Sequence, residues 1–181
     1  MLEDEEKLIR EAKRGKTECF DQLYNHYLPP IYRFIYMKVT HREEAEDLTH
    51  EVFLNAWQNI RFYRSRGFPF GSWLYQIARN RVIDHYRLKK RQISLESLDP
   101  NAELLKSGNP IDQELDKILT LEKIRTALQG LTFDQQDVVI MRFMEELSYE
   151  EIAVAMKKSQ GAVRLIQHRA MNELKKILGS N

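Results

Sequence analysis

At 181 residues, the chain has room for one large domain or two small ones, each with its own core. A single cysteine, Cys19, excludes an internal disulfide and suits a reducing compartment. The net charge of +1, from 28 basic and 27 acidic residues, is segregated along the chain. The acidic start MLEDEEKLIREAKRG has no signal-peptide core, and no run approaches the roughly 20 apolar residues that span a bilayer, so a soluble, cytoplasmic protein is expected.

The first helix runs through Leu8, Ile9 and Ala12 and breaks near Gly15. Thr17 is placed to cap a second helix carrying Phe20, Leu23, Tyr24, Tyr27 and Leu28. Pro29-Pro30 then reads as the first turn of a resumed helix with Ile31, Phe34, Ile35 and Val39. His41 to Arg61 repeats Ala45, Leu48, Val52, Ala56 and Ile60 at helical spacing, a buried stripe. Glu43, Glu44, Glu46, Asp47 and Glu51 lie outside it, as either a solvated face or a docking face for a basic partner.

From Arg61 to Arg91, nine basic residues and seven aromatics meet one acid, Asp84. Cations for phosphates and flat rings for unpaired bases suit a surface that holds single-stranded nucleic acid, although a basic solvated face over an aromatic core has the same composition. Ser65 to Pro69 is a loop by its Gly and Pro, which puts Phe68 and Phe70 beside a turn, where a ring can hold an unstacked base. A helix follows from about Gly71 to Lys90, with Leu74, Ile77, Ala78 and Val82 on one side and Arg79 and Lys90 on the other. Arg81 falls on the apolar side and is expected to pair with an acid or to snorkel.

Residues 92–114, with Pro100, Gly108 and Pro110 and little periodicity, read as a flexible linker. Leu115 to Leu131 is helical again, with Ile118, Leu121, Ile124, Leu128 and Leu131 on one face, and another helix runs from Phe133 to Met144. Ser148 and Glu151 fit a capping box before a short helix carrying Ile152, Ala153 and Met156. After Lys157-Lys158, Ser159 is placed to cap a longer helix with Val163, Ile166, Ala170, Leu174 and Ile177 inward. Two capped helices joined so tightly make a helix-turn-helix, whose second helix enters a major groove. Six Lys or Arg against one acid between Lys157 and Lys176 suit phosphate contact. Arg164 is expected to reach guanine O6 and N7, and Leu165 to lie on a thymine methyl.

The succession AEDLTHEVFLNAW at 45–57, FGSWLYQIARNRVIDHYR at 70–87 and LSYEEIAVAMKKSQGAVRLIQHRA at 147–170 strongly resembles bacterial RNA polymerase sigma factors of the extracytoplasmic function (ECF) group, sigma-70 family. The resemblance implies an all-α protein of two small helical domains: region 2 on 5–91, a linker on 92–114, and region 4 on 115–178. It implies binding of core polymerase, through the β′ clamp helices and the β subunit, by Asp47, His50, Glu51 and Leu54. It implies minus-10 contacts from Arg66, Phe68, Phe70, Trp73, Arg79, Arg87 and Lys90. The minus-35 contacts fall to Lys157, Ser159, Gln160, Arg164, Leu165, His168 and Lys175. Promoter DNA and an anti-sigma factor are the further partners implied, with no cofactor and no small-molecule substrate.

The chain departs from the family pattern at several places. His50 replaces a usual Gln, Lys157-Lys158 a usual Gly-Ile, Leu165-Ile166 a usual Ser-Arg, and Thr132 a usual proline, which implies a looser start to the following helix. A dimeric helix-turn-helix regulator would explain 147–176 equally well but leaves 61–91 and the acidic helix without a purpose. The five histidines, His26, His41, His50, His85 and His168, have no metal-ligand spacing, and no nucleophile constellation points to an enzyme.

Overall fold

The computed structural model describes residues 4–39, 41–65, 67–96 and 123–179, which form eight α-helices and no strand among the described residues. Helix α1 (Glu5–Lys13) ends at a turn where Gly15 takes a φ of 93°, a conformation that favours glycine. Helix α2 (Thr17–Tyr36) follows, and two expectations change there. Thr17 is the first helical residue and makes no cap; Lys16 holds the cap position. Pro29 and Pro30 lie inside one continuous helix. Each interior proline removes a backbone donor at a cost of about 3 kcal/mol. Phe20, Leu23, Tyr27, Ile31, Phe34 and Ile35 are buried on both sides of the pair, and that unbroken stripe outweighs the lost bonds.

Helix α3 (Arg42–Asn59) closes in a 3-10 turn, Ile60–Phe62, and buries the expected stripe of Ala45, Leu48, Val52, Ala56 and Ile60. Helix α4 (Phe70–Glu96) starts under a tertiary cap. The buried Glu5 carboxylate accepts from the Phe70 backbone N–H at 2.7 Å and from the Tyr27 hydroxyl, filling one of the donors a helix start leaves open. Gly71 lets α4 lie against α2, since a Cβ there would sit 2.7 Å from the Tyr27 ring. The helix runs past the expected end at Lys90 to Glu96, taking in the start of the expected linker. Residues 97–122, the rest of that linker and the start of the following helix, lie outside the described residues.

Helix α5 (123–129) buries Ala127 and Leu128, while Ile124, expected inward, is exposed. Helix α6 (Phe133–Val139) begins at a full capping box: Thr132 accepts from the Gln135 N–H and the Gln135 side chain accepts from Thr132. Thr132 therefore fixes this boundary, contrary to the looser start expected of it. The helix widens into a π turn, Ile140–Met144. Helix α7 (Tyr149–Met156) has the expected Ser148–Glu151 box, and Ser159 caps helix α8 (Gln160–Gly179) by accepting from the Ala162 N–H at 3.2 Å.

The α1–α4 group and the α5–α8 group share a continuous core, and α7 packs on α4. Asp137 to Met141 are all buried, so the α6 end is covered on every side. At the joint Lys38, just past α2, donates to Asp137, both side chains being closed to water. Arg79 of α4 donates to Asp137 at 2.7 Å and to Asp134 at 2.6 Å, and Lys158 reaches Asp134 at 3.1 Å. Arg33 makes a two-pronged pair with Glu145 at 3.0 and 2.7 Å, and the Tyr86 and Phe133 rings meet edge-on at 5.3 Å.

Candidate nucleic-acid and protein interfaces

On α3, residues 47, 50, 51 and 54 follow helical spacing, and Asp47, His50, Glu51 and Leu54 form one exposed row opposite the buried stripe. Leu54 is 49% exposed. His50 and Leu54 of the row line a groove of about 260 Å³ between α2 and α3, with Phe20, Tyr24, Phe53 and Trp57 as its apolar wall and Asp21 as its acid. Glu51 has Arg81 at 3.6 Å, the expected pairing of that arginine. An apolar groove with an acidic rim suits a basic protein surface and repels phosphate.

The corner between α3 and α4 holds a cleft of about 510 Å³. Phe62, Tyr63, Phe68 and Trp73 supply its rings, Arg64 its cation, and Val154 and Lys157 of the other helical group its far wall. An adjoining cleft of about 550 Å³ shares Phe62, Tyr63, Trp73 and the Gln76 amide and adds the amides of Asn55, Asn59 and Asn80. Rings on one side and amide donors and acceptors on the other are what an unstacked base needs.

The expected minus-10 residues divide here. Phe68 and Trp73 line the cleft. Phe70 does not: it is fully buried against Tyr27, Tyr63 and Trp73, so it supports the wall and is not a stacking surface. Phe62, which lines the cleft, is 80% exposed and presents an open ring there. Arg79 is turned into the joint, held by Asp134 and Asp137. Arg87 and Lys90 are exposed, with Asp84 3.7 Å from Arg87, and Lys89 is held at 2.9 Å by Glu44. Arg66 lies outside the described residues.

The turn between α7 and α8 places Lys157 in the left-handed region, φ 54°, a conformation more often given to glycine. Lys157, Ser159, Gln160, Arg164, Leu165, His168 and Lys175 are all exposed. His168 is hydrogen-bonded to Asn172 at 3.1 Å. One arrangement had no sequence signal: the Tyr149 ring, at the start of α7, has the Arg164 guanidinium 4.2 Å from its centroid and that of Arg142 at 4.9 Å. Its hydroxyl donates to Gln167 Oε1 at 2.6 Å.

The electrostatics separate joint from surface. Burial pushes the Asp134 carboxyl up, but hydrogen bonds from Lys158 and Arg79 outweigh it and hold the group below its ordinary value. Burial likewise raises Glu44, and Lys89 with His85 outweighs it downward. Burial pushes the Lys38 ammonium down, against the pull of Asp137. Among the described residues no cluster of three or more His, Cys, Asp or Glu could hold a metal, and no helix is long and apolar enough to cross a membrane.

Comparison with known proteins matches the Sigma-70 region 2 family over residues 23–92 and the Sigma-70 region 4 family over residues 127–176. BldN, an ECF RNA polymerase sigma factor of Streptomyces coelicolor, is 37% identical over 94% of this chain, which spans 64% of BldN. The fold is also that of RpoE of Bartonella quintana, solved with the anti-sigma factor NepR: TM-score 0.69 at 23% identity, covering 88% of this chain and 96% of that one. SigW, an ECF RNA polymerase sigma factor of Bacillus subtilis, is 31% identical over 95% of both chains. Likeness of that extent, with regions 2 and 4 matched in order on the two helical groups, means that the chain belongs to the ECF sigma factors of the sigma-70 family.

Proposed function

We propose that the chain is the promoter-specificity subunit of bacterial RNA polymerase, acting in the cytoplasm and catalysing nothing itself. The Asp47, His50, Glu51 and Leu54 row would dock on core polymerase. The helix-turn-helix would read the minus-35 duplex through α8, and the α3–α4 cleft would hold a base of the minus-10 non-template strand. Arg87, Lys90, Lys157 and Lys175 would position the protein on phosphates, with base contacts left to a smaller set of side chains. Sequence 5–91 would form the core-binding and minus-10 unit and 115–178 the minus-35 unit, joined by 92–114. An anti-sigma factor, of the kind that binds RpoE of B. quintana, would restrain it.

The observation that carries this reading is the ring-and-amide cleft, with Phe62 80% exposed at its mouth, on the same chain as a capped helix-turn-helix. A dimeric duplex-binding regulator has no use for such a cleft. Transcription in vitro with purified core polymerase on a pool of genomic fragments tests it. Discrete starts that depend on this chain are expected; starts unchanged by its addition would overturn the reading.

A further inference from the structure

We propose that Tyr149 is a positioning residue for base recognition: from α7 it sets two groups of α8, Arg164 through its ring and Gln167 through its hydroxyl. The inference rests on the helix-turn-helix reading the minus-35 duplex.

The sequence places Tyr149 for this. The Ser148–Glu151 capping box fixes the first turn of α7, and Tyr149 is its first helical residue, so the box sets where the ring leaves the backbone. The ring is half-buried and reaches α8. Arg142, tied back by its donation to the Leu147 carbonyl at 2.9 Å, approaches the same ring. Arg164 itself is exposed and, among the described residues, has no acid within ion-pair distance. Its contact with the Tyr149 ring therefore decides its direction.

That contact does more than add attraction. A free arginine side chain samples many rotamers, and ordering it on DNA opposes binding; a guanidinium already held over a ring has lost much of that freedom beforehand. The second cation beside the ring adds to the positive potential there, which suits an approach to phosphate-lined DNA.

Gln167 completes the arrangement. It lies three residues from Arg164, on an adjacent part of the same helix. A free glutamine amide pairs with adenine by offering both its oxygen and its NH2. Here the Tyr149 hydroxyl occupies an Oε1 lone pair and fixes which way the amide faces, leaving Nε2 as the group free to donate. Held so, Gln167 favours an acceptor edge, guanine O6 or N7 or thymine O4, over the two-pronged adenine pair.

The test is selection from promoters randomised at minus-35, bound by core polymerase carrying the full-length chain. Arg164→Ala and Gln167→Ala first define the base pair each group reads. Tyr149→Phe keeps the ring and removes the hydroxyl, so it should shift preference toward adenine only at the Gln167 position, where the freed amide can make the two-pronged pair. Tyr149→Leu should make the same shift at the Gln167 position and also flatten the Arg164 position by about 5- to 150-fold, the discrimination of one good two-pronged contact. Adding Arg164→Ala to Tyr149→Leu should change the Arg164 position no further. A purely structural tyrosine would lower affinity for every sequence alike. Wild-type base preferences retained by Tyr149→Phe and Tyr149→Leu would overturn the proposal, and should Tyr149→Leu fail to fold, Tyr149→Phe decides it at the Gln167 position alone. A wild-type complex that selects no minus-35 sequence would overturn the promoter reading instead, and this inference with it.

Discussion

Arg79 of α4 donates through Nε to Asp137 of α6 at 2.7 Å, across 58 residues of sequence, and so faces away from the nucleic acid that its basic segment suggests. Asp137 is shut from water and also takes the buried Lys38 ammonium. Removing one partner of such a pair leaves an uncompensated charge inside the protein. Replacing both with apolar groups of similar volume restores much of the loss, because desolvating the ions is itself unfavourable. Asp137→Ala should therefore lower stability by about 3–5 kcal/mol in chemical denaturation of the full chain. Combining Lys38→Met with Asp137→Leu should recover most of it. A single-variant loss under about 1 kcal/mol would mean that this contact does not hold the joint.

Asp134 gives the joint a dependence on pH. Its carboxyl is held below the ordinary value because hydrogen bonds from Lys158 and Arg79 exceed the opposing effect of burial. A carboxyl whose folded pKa is depressed adds stability above its unfolded value and loses it as pH falls through the folded one. The stability gap between wild type and Asp134→Asn should be full at neutral pH and close below about pH 4. Urea midpoints measured in parallel from pH 7 to pH 3 would show it. A gap that stays constant would assign the loss to packing, with no contribution from charge.

Neither joint residue announces itself in the sequence. Lys38 and Asp137 are 99 residues apart, and each locally reads as a solvated charge; only the covering of α6 on all sides makes them interior. Phe70, by contrast, was legible. It falls in step with Leu74, Ala78 and Val82, the buried stripe of α4, although it also stands beside a Gly-Pro loop, where a ring can equally face solvent. The continuity of α2 through Pro29-Pro30 was legible in the same way, from a stripe that keeps its phase across both prolines. The helix-turn-helix could be read because capping boxes are local. The Tyr149–Gln167 bond depends on how α7 crosses α8, which no local pattern encodes.

The exposed acids of α3 give the polymerase-docking prediction. Asp47 and Glu51 are one helical turn apart on the exposed row of α3 whose His50 and Leu54 line the α2–α3 groove, and neither helps form the core. Replacing both with Lys should leave the helical content and melting temperature close to wild type, apart from the surface pair of Glu51 with Arg81. Competition with wild type for core polymerase should fall markedly. An undiminished competitor would remove this face from the docking surface.

The rings of the basic segment divide by exposure. If the α3–α4 cleft stacks an unpaired base, the working surface is the exposed Phe62 with the half-buried Trp73, while Phe70 holds the wall from inside. Stacking on one aromatic is worth about 1–3 kcal/mol per base, so Phe62→Ala should weaken open-complex formation by that amount and leave stability nearly unchanged. Phe70→Ala removes a fully buried ring that touches Tyr27, Tyr63 and Trp73, and should destabilise the fold by about 3–5 kcal/mol. Any effect of Phe70→Ala on DNA should then follow the loss of folded protein. Promoter opening read by permanganate reactivity of unpaired thymines, beside a melting curve for each variant, distinguishes the two. If Phe62→Ala opens promoters as well as wild type does, the exposed ring is not the platform, and Phe68 and Trp73 are left as the stacking surfaces of the cleft.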